Sequence, residues 1–134
     1  MSFDTPSNSY TTAGITVTVK TDFIPAQSSH QNSLYSFAYQ ITIQNHSDFT
    51  VKLLRRKWVI LDAYGDQRIV EGEGVVGQQP VIAPGETFTY QSGSQFKTPF
   101  GKMGGFYTML RLLDSEAFEV KIPDFILENP AVLN

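Results

Sequence analysis

The residues from Tyr35 to Gln44 alternate strictly. Tyr35, Phe37, Tyr39, Ile41 and Ile43 take one phase; Ser36, Ala38, Gln40, Thr42 and Gln44 take the other. Successive side chains of a strand point to opposite faces, so this run predicts a strand with one aromatic, β-branched face and one small or polar face. The same period returns elsewhere. Ile15, Val17 and Val19 alternate with Thr16, Thr18 and Lys20, Phe88 and Tyr90 with Thr87 and Thr89, and Phe118, Val120 and Ile122 with Glu119 and Lys121. No window of a dozen residues carries a helical stripe. About seven or more short strands at fairly regular spacing predict an all-β, antiparallel sandwich or barrel. Long irregular connections suit Greek-key crossings better than tight up-and-down hairpins, which favours the sandwich.

Punctuation divides these strands. Asn45-His46-Ser47-Asp48 supplies turn-forming residues after the first run. Between Val51 and Leu61 the phase flips: Val51 and Leu53 share one phase, Trp58 and Ile60 the other. A bulge or a change of sheet near Leu54–Lys57 would produce that flip. Tyr64-Gly65-Asp66 reads as a hairpin turn before Gln67–Val70. Gly72–Pro84 reads as a long connection with a short strand at Val81–Ile82. Pro84-Gly85 suits a type II turn. Pro99–Gly105 reads as an irregular loop, Phe106–Leu113 as a strand buried on both faces, and Pro123 as the end of the ladder begun at Phe118, with Phe125 and Leu127 in an edge segment. Residues 1–14, rich in Ser, Thr and Asn, read as a loose arm, and residues 15–134 as one domain.

Composition decides which chemistry such a scaffold can carry. Of 134 residues, 41% are hydrophobic, 13% aromatic and 17% charged, enough apolar matter for a core and too little charge for disorder. There is no cysteine, which excludes disulfides, thiolate metal sites and cysteine nucleophiles. Ten Lys+Arg against thirteen Asp+Glu give a net charge of −3, so the overall field opposes a phosphate backbone and no nucleic-acid partner is expected. Met1–Tyr10 lack a basic and an apolar segment, and no apolar run reaches the ~18–20 residues of a membrane span. The expectation is a cytoplasmic protein with no membrane insertion.

Two glycine-rich motifs look like chemistry. Gly72-Glu73-Gly74-Val75-Val76-Gly77 matches the G-x-G-x-x-G of dinucleotide folds. That motif needs a following helix whose amides hold the pyrophosphate, and Pro80 and Pro84 leave no room for one. A loop needing positive φ or close packing at Gly72, Gly74 and Gly77 explains the glycines. An anion-binding nest of loop amides is the alternative, opposed by Glu71 and Glu73 beside it. In Phe100-Gly101-Lys102-Met103-Gly104-Gly105, Met103 stands where a phosphate-binding loop needs Ser or Thr, so close backbone approach explains its glycines. Lys52-Leu53-Leu54-Arg55-Arg56-Lys57-Trp58 gathers basic residues. Arg55, Arg56 and Lys57 could hold phosphate or an acidic partner, or could simply guard a solvated strand edge. In a strand Arg55 and Lys57 share a face while Arg56 points the other way with Trp58. His30 and His46 fall in polar loops. His46 and Asp48 lack a local third ligand, so no metal, cofactor or catalytic residue is assigned.

Taken in order, these segments resemble a known family. They are Phe37-Ala38-Tyr39 with Ile41, Ile43 and Asn45; Leu53-Leu54-x-Arg56-x-Trp58-x-Ile60; Gly72 to Gly77 with Pro80; Pro84-Gly85-Glu86-x-Phe88-x-Tyr90-x-Ser92-Gly93; Thr98-Pro99-x-Gly101-x-Met103-x-Gly105-x-Tyr107; and Phe118-x-Val120-x-Ile122-Pro123-x-Phe125-x-Leu127. Together they resemble the ApaG family over about Ile15 to Leu133. Two positions depart from its pattern: Lys57, where an aromatic residue or His is frequent, and Asp114-Ser115-Glu116, which lacks a glycine. The resemblance implies an immunoglobulin-like, fibronectin type III-like β-sandwich. It also implies a link to cobalt and magnesium efflux or resistance, and frequent encoding beside an enzyme that hydrolyses diadenosine tetraphosphate. Related modules in eukaryotic F-box proteins and in a polymerase-interacting protein look like interaction domains. No catalytic residues come with it. A chain without a membrane span cannot itself move ions across a bilayer, so the expected role is that of a non-enzymatic module acting through an unidentified protein partner. The alternative is a weak nucleotide or pyrophosphate binder using Gly72–Gly77 or Arg55–Lys57.

Overall fold

Nine strands follow from that alternation in the computed structural model, which describes residues 7–129. They are β1 (Asn8–Thr12), β2 (Ile15–Phe23), β3 (Tyr35–Asn45), β4 (Val51–Asp62), β5 (Gln67–Glu73), β6 (Val81–Ile82), β7 (Thr87–Phe96), β8 (Phe100–Arg111) and β9 (Glu116–Glu128). One 3₁₀ turn, Pro25–Gln27, lies between β2 and β3. One sheet has the order β1-β2-β3-β7; the other runs β5-β4-β8-β9, with β6 also on β4. All pairings are antiparallel. The architecture is the expected β-sandwich.

The inward phases meet in one core. Ile15, Val17, Ile41, Ile43, Leu53, Tyr107, Met109 and Ile122 lose all their solvent exposure. Burying a large apolar side chain contributes roughly 1.5–3 kcal/mol, so the core outweighs any single surface contact. Tyr39, Trp58 and Phe125 form a triangle of rings, with centroids 5.4, 5.9 and 6.0 Å apart, that links β3, β4 and β9 across the layers. Asn45 pins the end of β3. Its amide nitrogen donates to the carbonyls of Phe49 (2.8 Å) and Ile82 (2.9 Å), and its side-chain oxygen accepts from the Ser47 amide and hydroxyl. Every polar group of that buried side chain is thereby engaged.

Several local expectations hold. The register of β4 on β8 shifts between Leu53 and Arg55, the bulge that the phase flip requires. Gly85 has φ 84° and Glu86 donates to the Ala83 carbonyl, which makes Pro84-Gly85 the centre of a type II turn. Val81–Ile82 is the short strand β6.

Four expectations fail. Asn8–Thr12 are not a loose arm: they pair with β2 despite their polar composition, because an edge strand needs only backbone partners on one side. Residues 1–6 of that arm lie outside the described residues. Phe100–Gly105 are strand, not loop; glycine erases the side-chain alternation while leaving the ladder intact. Gly105 sits where a Cβ would come 1.9 Å from the Lys57 carbonyl, so the close approach foreseen there is real. Residues 106–111 are not buried on both faces: Tyr107 and Met109 are enclosed, while Phe106 is 40% exposed. Pro123 does not end its ladder. The register jumps from Met103–Phe125 to Gly105–Ile122, so Pro123 and Asp124 bulge opposite Gly104, a position at which a missing N–H is harmless.

Two phenols meet inside the core. The Tyr90 and Tyr107 hydroxyls are 2.5 Å apart. Burial is the main cause holding both pKa values above the ordinary 10.0. Replacing Tyr107 with Phe leaves the Tyr90 hydroxyl without this partner. The expected loss is about 1–2 kcal/mol in urea denaturation, with the double Phe variant costing less than the two singles added. Below pH ~10 the phenols are protonated in both states; above it the unfolded chain releases protons that the folded chain keeps. Stability should therefore fall as pH rises above ~10, and phenolate absorbance from Tyr90 and Tyr107 should appear only with unfolding.

Candidate functional site

The segment Tyr90-Gln91-Ser92-Gly93-Ser94-Gln95-Phe96 turns Tyr90, Ser92, Ser94 and Phe96 toward the opposite sheet. The register sets Ser92 beside Tyr39 and Ser94 beside Phe37. Two hydroxymethyl groups thus stand where the rest of the layer carries rings and branched chains. The space they leave is a cleft of about 770 Å³ between β7 and the β4–β5 ribbon. A smaller cavity of about 300 Å³ adjoins it and shares Tyr39, Arg56, Trp58 and Ser92. These volumes fall around the range typical of ligand pockets.

The β4 bulge decides what faces this space. Past Leu54 the inward phase becomes Arg56, Trp58 and Ile60. Arg56 Nη1 donates to the carbonyls of Glu73 (3.0 Å) and Gly74 (2.9 Å). Its guanidinium lies across Gly72, where a Cβ would come 2.8 Å from Nη2. On β5, Arg68 donates from Nη2 to the Gln95 carbonyl at 3.1 Å and lies 3.5 Å from Ser94 Oγ, spanning the mouth from β5 to β7. The cleft floor is Tyr39, Trp58 and Phe37. Burial raises the Tyr39 pKa, partly opposed by a hydrogen bond with Ser92 and by the Arg56 charge.

The glycine-rich motif is a hairpin tip. Val75 and Gln78 exchange both backbone hydrogen bonds (2.8 and 2.9 Å), with Val76 (φ 44°) and Gly77 (φ 79°) between them. Both central residues are left-handed, as a type I′ turn requires. An anion nest instead alternates right- and left-handed residues. The Gly74 amide donates to the Leu54 carbonyl at 2.8 Å, so it serves the bulge.

Of the six candidate residues, Arg56, Gly72, Gly74 and Gly77 come together at one end of the cleft. Arg55 and Lys57 do not. They are exposed on the outer face, in register with Glu73 and Glu71 across the ribbon. His30 Nδ1 contacts the Tyr35 hydroxyl at 2.5 Å, and His46 is exposed in its turn. Among the described residues no group of three or more His, Asp or Glu could hold a metal. Sequence reasoning missed Arg68, Ser92 and Ser94. A signal existed, since extending the Phe88–Tyr90 phase puts two serines in core positions.

A family model described as the ApaG domain matches residues 25–111. The ApaG protein of Methylobacterium radiotolerans is 46% identical over 121 residues, 90% of this chain and 92% of the relative. That of Vibrio vulnificus is 48% identical over 120 residues, covering 90% and 94%. A crystal structure from Bordetella pertussis superposes with TM-score 0.83 at 38% identity, covering 93% of this chain and 96% of that one.

The tip geometry makes a paired prediction. At Gly74 φ is 65° and a Cβ would lie 2.1 Å from the Gln78 carbonyl oxygen, so Gly74→Ala should cost about 2 kcal/mol or more. A β-branched residue is strained at the left-handed Val76, so Val76→Asn should stabilise by about 0.5–1 kcal/mol. Thermal and urea unfolding of the two variants check the opposite signs.

Proposed function

The chain belongs to the ApaG domain family, and on that footing we propose that it is a non-enzymatic, cytoplasmic interaction module affecting cobalt and magnesium handling through a protein partner. The observation that supports this reading is the unequal closure of the sandwich. At the β1–β9 side the layers are tied: Asn8 Nδ2 donates to the Asp124 carbonyl at 2.6 Å, the Lys121 amide donates to Thr12 Oγ1 at 3.2 Å, and Lys121 Nζ sits 5.2 Å from the Tyr10 ring centroid. At the β7–β5 side a cleft lies open with a sheet edge along it. An uncovered edge is a ready template for a second chain. No helix among the described residues is long and apolar enough to cross a membrane, and no metal-binding group of acidic or imidazole side chains is present among them.

A second reading, a nucleotide or pyrophosphate ligand, draws support from Arg56. It is the one residue of the basic cluster that faces the cleft beside the glycine-rich turn.

Affinity capture from native lysate should return the same protein repeatedly; repeated capture of nothing specific would overturn the module. Calorimetry with cobalt or magnesium alone should show no tight site, and a stoichiometric micromolar one would defeat the indirect role. NMR titration with pyrophosphate, ATP and diadenosine tetraphosphate separates the second reading. Shifts confined to Arg56 and residues 72–78 would favour it; none at millimolar ligand would end it.

A further inference from the structure

The inner face of β5 is left largely exposed, touched from the other sheet at Arg68 by Ser94 and the Gln95 carbonyl of β7. Its inward row is Arg68, Val70 and Gly72, in register with Ile60, Trp58 and Arg56 of β4. Inward residues of a sandwich normally meet the other sheet. Here the first sheet stops at β7, Val70 stays 39% exposed and Arg68 is exposed. The β5 side of the sandwich is therefore open to solvent across the cleft from the edge of β7. The free edge of β7 runs along this gap, and Gln91 to Gln95 line the cleft as one continuous stretch. A further strand placed on that edge would lie opposite β5.

The charge of the gap selects the strand. The cleft lining contains Arg56 and Arg68 and no Asp or Glu; Glu73 lines the adjoining cavity beside Arg56, and Asp62 and Asp66 line a neighbouring cavity shared with Arg68. Among the described residues the ion pairs are Lys102–Asp124 and Arg111–Asp114, so neither cleft guanidinium has an acidic partner. The chain carries −3 overall, so two guanidiniums facing one cleft are a local arrangement and not a reflection of composition. Arg56 uses Nη1 for two carbonyls, and a guanidinium has five donors. Arg68 caps the Gln95 carbonyl, an acceptor that an incoming amide could take over, releasing the guanidinium for a carboxylate.

Resting on the interaction-module reading, we propose that the gap takes up an extended acidic segment of a partner protein as a fifth strand on the free edge of β7, presenting an acidic–x–apolar–x–acidic row to Arg68, Val70 and Arg56. The spacing follows from strand geometry. Alternate residues are ~6.6–6.8 Å apart, so the row Arg68–Val70–Gly72, with the Arg56 guanidinium over Gly72, repeats at the period of any facing strand. Backbone pairing to β7 supplies affinity, and the two guanidiniums supply the choice of sequence. A free anion would use the charge but neither the β7 edge nor the exposed face of Val70. A second copy of the chain would bring the same positive gap to itself.

The test is fluorescence anisotropy with the labelled peptide TETVTET, against TKTVTKT and against ETTVTTE, which has the same composition in the wrong phase. The expected result is binding at a Kd of about 10–100 µM for TETVTET, weaker by about tenfold or more for both controls. Arg68→Glu should abolish it, and Arg68 is exposed enough for that variant to keep its fold. Arg56→Ala should weaken it by about tenfold or more, with the amide spectrum confirming an intact sandwich. Hydrogen exchange should slow at β7 amides within residues 91–95 when TETVTET binds. Equal binding of ETTVTTE, retained binding by Arg68→Glu, or binding without protection at β7 would overturn the proposal. So would complete displacement by equimolar pyrophosphate, which marks an anion site, or concentration-dependent dimerisation that is lost in Arg68→Glu, which makes the occupant a second copy. A lysate partner held equally well by Arg68→Glu would leave the module reading standing and sink this site alone.

Discussion

Leu53 and Trp58 are both buried, at 0% and 3% exposure, and they are five residues apart. A regular strand cannot point both inward, because side chains alternate with a period of two. The additional residue at Leu54 resolves the conflict, and much of the molecule's open side is arranged around it. The Leu54 carbonyl, displaced from the β8 ladder, accepts from the Gly74 amide at 2.8 Å and from Gln79 Nε2 at 3.0 Å. The glycine-rich turn is thus held against β4 by the bulge. The same shift sends Arg56 into the sandwich and leaves Arg55 and Lys57 outside. A motif that looks like a phosphate loop on paper is the backbone support of an irregular strand.

The sandwich is built unequally as a consequence. One side is closed by β1 on β9, with the Asn8 and Thr12 side chains bonded to main-chain groups of β9 and the Lys121 ammonium over the Tyr10 ring. The other side is held by Arg68 reaching from β5 to β7 and is otherwise open, because Ser92 and Ser94 do not fill the layer. Buried cations without acidic partners are unfavourable, and this gap tolerates two because it is open to water. Its solvation is therefore part of why it exists, and an arriving carboxylate would replace water at groups already arranged to receive it.

Much of this could be read in the residues. The β3 alternation, the phase flip in β4, the type II turn at Pro84-Gly85 and the two-residue β6 each follow from a local rule that tertiary contacts do not alter. The failures have equally local causes. Gly101, Gly104 and Gly105 carry no side chain to show a phase, so β8 begins unseen. Pro123 obeys a rule about regular ladders and sits where the ladder is irregular. Asn8–Thr12 lack apolar character, since an edge strand packed on one side can be stable without it. For the site, the phase rule correctly separated Arg56 from Arg55 and Lys57 but could not say what Arg56 would face.

By itself the chain determined its strands and which side of each strand is apolar, because backbone sterics and period-two burial act over a few residues. It also determined the absences that matter for chemistry, with no cysteine and two histidines far apart in sequence. The tertiary structure alone decided that Ser92, Ser94, Arg56 and Arg68 surround one space. They come from three strands in two sheets, and only the stacking of the layers brings them together. It also decided which edge stays uncovered, since that depends on how the two layers close at β1–β9 and stay apart at β7–β5, a relation between layers that no local pattern encodes.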